Sequence, residues 1–157
     1  HTVQSVPADG DWTVTTTQPD GSYIIQTYTD GRMSGTASYD SAGVLLASTG
    51  ITYDNLGRQS TITDSRTGTT TLAYYDNDAL ESPIAPDPDG AGSLGTLLTQ
   101  YLYDVMGRQT QVIHPDATST YTVYNQKNQL TKTYGSIQNP GEYTYDYAGR
   151  QATLTTW

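Results

Sequence analysis

The hexapeptide YDVMGR at residues 103–108 decides the fold, because close copies of it recur as YDNLGR at 53–58 and YDYAGR at 145–150. A divergent copy, YNQKNQ, occupies residues 124–129 and keeps a chemically related residue at each changed motif position. The last three copies begin 21 residues apart, at 103, 124 and 145. Repetition at a fixed period indicates a repeat architecture.

Each copy has the residues of a hairpin turn. An Asp at the first turn position accepts hydrogen bonds from backbone amides ahead of it, and a Gly three residues later adopts the left-handed conformation that ends a type I turn with a bulge. Asn tolerates both roles, which explains the Asn pair of the divergent copy. The predicted turn motif consists of Tyr53, Asp54, Gly57, Arg58, Tyr103, Asp104, Gly107, Arg108, Tyr145, Asp146, Gly149, Arg150, Tyr124, Asn125 and Asn128.

Most of the basic side chains belong to these turns, because Arg32, Arg58, Arg108 and Arg150 each directly follow a turn Gly. Tyr closes the incoming strand and Arg opens the outgoing one. Across the mouth of the turn we expect the guanidinium either to lie on the phenol ring or to meet the Asp carboxylate, a contact worth roughly 0.5–1 kcal/mol where exposed.

A second set of turn sequences, rich in Pro and Asp, is predicted at the other end of the hairpins: PADG at 7–10, QPDG at 18–21, PDAT at 115–118 and, more loosely, QNPG at 138–141. The segments between turns alternate in polarity and predict an antiparallel meander. The predicted strands are 3–6, 11–17, 22–28, 32–39, 44–53, 58–63, 69–75, 96–103, 108–113, 118–124, 129–134, 142–145 and 150–156.

One stretch interrupts this rhythm, residues 77–94, which is rich in Pro, Gly and acidic residues. Such a composition predicts a long surface loop or a linker. We therefore divide one continuous repeat domain into N-terminal repeats at 1–76, an insertion loop at 77–95 and C-terminal repeats at 96–157.

The composition agrees with an all-β chain. Only 34% of the 157 residues are hydrophobic and Phe is absent, whereas Thr occurs 28 times and Tyr 14 times. Both residue types favour pleated, half-exposed backbone over helix. We predict an all-β fold with no significant helix.

Charge and residue types exclude several functional classes. A net charge of -9 repels a phosphate backbone, so no nucleic-acid partner is expected. The absence of Cys excludes disulfides and thiolate chemistry, and no apolar run is long enough to span a bilayer. Because the only histidines are His1 and His114, and His114 precedes Pro115 in a turn, we predict no catalytic residues, no enzyme activity and no cofactor.

Two ligand hypotheses remain open. The carboxylates of Asp76, Asp78, Glu81, Asp87 and Asp89 could bind Ca²⁺, although the alternative is a solvated acidic loop. Exposed Tyr and Trp rings could stack on sugars, although Trp12 and Trp157 lie near opposite ends of the sequence and the tyrosines occupy fixed turn positions, which favours packing.

The YDxxGR string at a spacing of about 21 residues resembles the YD repeat of the Rhs, teneurin and insecticidal-toxin C-component families. The likeness covers residues 23–157 apart from the insertion. It implies β-hairpins wound into a spiralling, solenoid-like sheet that forms a hollow shell around a toxin or a rigid extracellular body, with no enzymatic role for the repeats.

We therefore expect a non-catalytic structural β-repeat protein that is secreted or displayed on a bacterial cell surface. It would build a fibre or shell by pairing strands with flanking YD repeats or, head to tail, with other copies of itself, since open sheet edges pair with matching strands. The alternatives are a carbohydrate-binding surface module with glycan partners and a fragment of a toxin-encapsulating Rhs shell.

Overall fold

The computed structural model describes residues 2–5, 10–89 and 95–157, and these residues form strands and turns with no helix. The all-β antiparallel meander predicted from the sequence is confirmed. The strands are β1 Thr2–Ser5, β2 Trp12–Thr17, β3 Tyr23–Thr29, β4 Arg32–Tyr39, β5 Leu45–Tyr53, β6 Gln59–Asp64, β7 Gly68–Tyr74, β8 Leu80–Ala85, β9 Leu97–Leu98, β10 Gln100–Tyr103, β11 Gln109–Ile113, β12 Ser119–Tyr124, β13 Leu130–Gly135, β14 Gly141–Tyr145 and β15 Gln151–Thr156.

Hydrogen bonding follows chain order in two sheets, β1 to β9 and β10 to β15. The register shifts by one residue next to the Tyr that precedes each YD turn, as at Tyr53, Tyr103, Tyr124 and Tyr145. A β-bulge at this place is the mark of a type I turn that ends in a left-handed residue. The turn chemistry therefore sets the pairing of the strands.

The chain divides into two compact units. Unit 1 comprises His1–Leu72 and Ala85–Thr96, and unit 2 comprises Ala73–Ile84 and Leu97–Trp157. Unit 2 contains β10 to β15 and three of the four YDxxGR-type copies. No helix in the described ranges is long and apolar enough to cross a membrane.

No hydrophobic side chain in the described part of the chain is fully buried. The accessible surface is 10228 Å², compared with about 7,700 Å² expected for a globular monomer of this mass. Cross-strand pairs take the place of a core: the rings of Trp12 and Tyr28 stack with centroids 3.8 Å apart, and the Thr144 and Thr153 hydroxyls lie 2.7 Å apart. Both faces of the sheets thus remain partly open to solvent.

The insertion at 77–95 was predicted to be a loop, but part of it forms a strand. Residues 80–85 form β8, and the predicted strand 96–103 is interrupted at Thr99. Pro83 masks the strand in the sequence because it has no amide hydrogen, yet its carbonyl accepts a hydrogen bond from the Thr99 amide at 3.1 Å. The predicted PADG turn lies mostly outside the described residues.

Candidate functional site

A single backbone turn recurs along the chain. In the copy at 104–108 the Asp104 amide donates to the Arg108 carbonyl and the Gly107 amide donates to the Asp104 carbonyl, both at 2.9 Å, and Gly107 has φ 77°. The same pair of hydrogen bonds closes eight described turns, which begin at Gln18, Asp40, Asp54, Tyr75, Asp104, His114, Asn125 and Asp146.

The first Asp of a YD turn holds the turn with both carboxylate oxygens. Asp104 Oδ1 accepts hydrogen bonds from the Met106 amide at 2.9 Å and the Arg108 amide at 3.0 Å, while Oδ2 accepts one from Arg108 Nε at 2.7 Å. Asp54 and Asp146 make equivalent contacts with Arg58 and Arg150. In these turns the expected Arg–Asp contact across the turn mouth is present.

These contacts lower the pKa of the carboxyl groups. The hydrogen bond from the Arg108 side chain is the largest cause at Asp104, and the pKa values of Asp20, Asp54, Asp64, Asp104, Asp116 and Asp146 all lie below their usual range. Hydrogen bonds to the charged form favour it.

Acid should therefore destabilise the fold. The pKa of an Asp in an unfolded chain is about 3.9. Because the pKa values of these Asp residues are lowered in the folded turns, protons bind preferentially to the unfolded state. The stabilisation is complete above about pH 5 and is lost as the pH falls through the lowered folded-state pKa values. Urea midpoints measured between pH 6 and pH 2.5 should fall below about pH 4. Measurements at two salt concentrations separate this effect from net-charge repulsion, and a constant midpoint would contradict it.

Two of the Pro-containing sequences were predicted to form a second kind of turn, but they form the same backbone turn as the YD copies. QPDGS at 18–22 and HPDAT at 114–118 have the same two backbone hydrogen bonds as the YD turns. They differ from the YD turns in the position of the Asp, which is the third residue of the turn instead of the first. Asp20 and Asp116 each accept a hydrogen bond from the backbone amide two residues later in the chain. Ala117 occupies the left-handed position with φ 63°.

Replacing Ala117 with glycine should stabilise the chain by about 0.5–1 kcal/mol, because glycine adopts a left-handed φ without the penalty of a Cβ atom. Ala148→Gly is the matched control, since Ala148 is exposed and is not among the residues with positive φ. That control should destabilise slightly. Chemical unfolding of both variants measures the difference, and equal effects would contradict the prediction.

One turn of this type was missed in the sequence. Residues 75–79 have the same backbone bonds, with Tyr75 in the Asp position and Asp78, at φ 66°, in the Gly position. The available signal was Tyr74 directly before Tyr75, in the place of the motif Tyr, together with Asp78 as a residue type that tolerates the left-handed region. Three substitutions in one copy concealed the turn, because Tyr75, Asp78 and Ala79 replace the motif Asp, Gly and Arg.

The motif Tyr contacts the neighbouring hairpin. In three copies its hydroxyl donates to a backbone carbonyl of the preceding hairpin at the same ends of the strands: Tyr53 to Met33 at 2.8 Å, Tyr103 to Leu80 at 3.0 Å and Tyr145 to Leu130 at 2.7 Å. Leu80 and Leu130 follow Ala79 and Gln129, the last residues of their YD-type turns, whereas Met33 follows the Asp30–Gly31 reversal between β3 and β4. In these three copies the Tyr ties its hairpin to an earlier one.

The Arg side chain points the other way, to the following turn. The guanidinium of Arg108 lies 4.8 Å from the Tyr124 ring centroid and donates to the Asn125 carbonyl at 3.0 Å. Arg32 lies 5.5 Å from the Tyr53 ring centroid. The expectation of stacking on the Tyr of the same turn is thereby corrected, because the ring belongs to the next copy.

In unit 2 these turns form a row. Neighbouring strands run in opposite directions, so turns 21 residues apart lie at the same ends of the strands. These turns are 104–108, 125–129 and 146–150. We call these three turns the turn row. In the divergent turn Gln129 replaces Arg and still reaches the next turn, donating to the Gly149 carbonyl at 3.1 Å.

The structure does not gather the candidate calcium ligands into one group. Within 2–5, 10–89 and 95–157, no three acidic or His side chains are placed to share a metal ion. Asp78 holds the left-handed position of its turn, and Asp87 accepts a hydrogen bond from the Asp89 amide at 3.1 Å. Calcium binding stays a prediction, measurable as a change in Tm on adding chelator.

The remaining candidate residues have structural contacts. His114 begins a turn, and its Nε2 lies 2.9 Å from the Thr120 hydroxyl oxygen. Trp12 stacks on Tyr28, whereas Trp157 is 61% exposed, with the Lys132 ammonium 5.3 Å from its ring. The Trp12 ring is therefore engaged with a neighbouring strand, whereas the Trp157 ring is not stacked on another ring among the described residues.

The fold and its turn row define a β-repeat protein with hairpins joined by side chains from one turn to the next. No family model and no curated protein matches the sequence. Solved structures do match. The crystal structure of TcdB2-TccC3-TEV has a TM-score of 0.70 at 14% identity over 99% of this chain, and that of TcdB2-TccC3 has a TM-score of 0.63 at 14% identity over 98%.

A third structure, TcdB2-TccC3 without the hypervariable C-terminal region, gives a TM-score of 0.59 at 19% identity over 92% of this chain. The matches cover 9%, 11% and 8% of those chains, so this chain spans about a tenth of their length. The likeness shows that this chain shares the fold of a small part of those chains.

Proposed function

We propose that the chain is a non-catalytic structural segment of a protein wall, located outside the cell, which extends a shell or fibre by strand pairing with flanking YD repeats or with other copies. It needs no cofactor for this role. The observation that carries the proposal is the absence of any fully buried hydrophobic side chain in the described ranges. A sheet open on both faces resembles one layer of a larger assembly more than a self-contained globule.

The neighbouring structures support the same role. TcdB2-TccC3 chains are about ten times longer than this chain, and the matched fold is a small part of each. The strand β15 is exposed at all six residues and, among the strands that the structure describes, pairs with β14 alone. Edge strands present backbone donors and acceptors that pair with another strand.

Sedimentation velocity over a range of concentrations tests the proposal, with electron microscopy of the heaviest fraction. We expect association that depends on β15. Leu154→Lys, on this edge strand, should weaken it, whereas Val123→Lys, on the inner strand β12, should not; the two apolar side chains are 52% and 40% exposed. A stable monomer at all concentrations would count against the proposal.

A further inference from the structure

Two kinds of contact along the turn row join a turn to the next hairpin, one seen at the first turn and the other at the second. The residue after the turn offers its carbonyl to the incoming Tyr hydroxyl, as Leu130 does for Tyr145. The Arg at the turn's end lies on an incoming Tyr ring, as Arg108 lies on Tyr124. The last turn of the row has the corresponding two groups: the guanidinium of Arg150, at the position of Arg108, and the carbonyl of Gln151, at the position of Leu130.

Arg150 and Arg108 differ in one respect. Each donates Nε to the Asp of its own turn, at 2.8 Å for Arg150 and 2.7 Å for Arg108. The Arg108 side chain is 19% exposed, whereas that of Arg150 is 76% exposed. The ion pair within the turn is the same in both, so the Tyr ring and backbone of the following hairpin account for the burial of Arg108.

We propose that Arg150 and the Gln151 carbonyl form a receptor for the Tyr of a flanking YD hairpin that pairs with the outer edge of β15. This inference rests on the proposed function and adds to it the identity of the partner and its register. The guanidinium takes the face of the ring and the carbonyl takes the hydroxyl hydrogen. A strand shifted by one residue presents its Tyr on the opposite face, so the receptor selects a single register.

The chain supplies its own probe for this receptor. Residues 135–156 contain the end of β13, the connection to β14, the motif Tyr145 and its turn. A copy of 135–156 joined after Thr155 continues the 21-residue period and places a second motif Tyr opposite Arg150. The copied Gly135 then stands in the place of Thr156, at the bend that precedes the added strand.

Four extended proteins form a double-mutant cycle: the parent, Arg150→Gln, Leu in place of the added Tyr, and both changes. We expect the two changes to be coupled by about two- to fivefold in the unfolding equilibrium constant, as for a cation–π contact with a hydrogen bond. Arg150→Gln in the chain without the extension is the control, and it should change the constant less.

Hydrogen exchange of the β15 amides separates the two levels of the proposal. Protected β15 amides together with coupling support the receptor. Protected amides without coupling overturn the receptor and leave the proposed function standing. Amides that exchange as fast as in the unextended chain overturn both, because the edge then does not accept a YD hairpin.

Discussion

Gly135→Ala is expected to destabilise unit 2 by about 3 kcal/mol. Gly135 has φ 98°, where a side chain is strained, and a Cβ atom there would overlap the Ser119 carbonyl oxygen and approach the Tyr121 ring at 3.1 Å. The carbonyl belongs to the backbone of the paired strand β12, so it cannot move aside without disturbing the pairing of Thr120 with Gly135. Urea unfolding followed by circular dichroism measures the loss.

Gly107→Ala is the matched control for this prediction. Gly107 also has a positive φ, 77°, but nothing lies within 4 Å of the place its Cβ would occupy. It should lose only the conformational contribution, about 1 kcal/mol. If the two variants lose the same stability, the close approach of the backbone at Gly135 is not the cause.

The turns could be predicted from the sequence because their determinants are local. Asp104 and Gly107 act on amides and dihedral angles within five residues, so the hairpin is encoded in the hexapeptide itself. The bulge at Tyr103 follows from the same turn type. Strand order in a meander then follows from short connections.

The contacts between hairpins could not be predicted, because they depend on where a distant segment lies. The sequence places Tyr103 next to its own Arg108, yet its hydroxyl bonds to Leu80, 23 residues away. The strand β8 was missed for the same reason, since Pro83 argues against a strand locally while pairing on its carbonyl side supports one. The acidic residues near it suggested a shared ligand site, but among the described residues no three of these side chains are placed to share a metal ion.

The motif Tyr contributes much of the stability that a buried core provides in a globular protein. The Tyr103 ring packs edge-on against the Tyr75 ring, with centroids 6.2 Å apart. Partial burial raises the pKa of its hydroxyl, which stays protonated and donates to the Leu80 carbonyl. One side chain thus joins β10 to the strand that begins at Leu80.

Tyr103→Ala should therefore lower the free energy of unfolding by about 3 kcal/mol, and Tyr103→Phe by about 1 kcal/mol, because the first removes ring packing and the hydrogen bond and the second only the hydrogen bond. Tyr147→Ala is the control, since Tyr147 lies at a turn tip with 94% exposure, and it should have little effect. Hydrogen exchange should show the amides of β8 losing protection in Tyr103→Ala but not in Tyr147→Ala. Equal losses in the two alanine variants would mean that the Tyr at the turn does not join the hairpins.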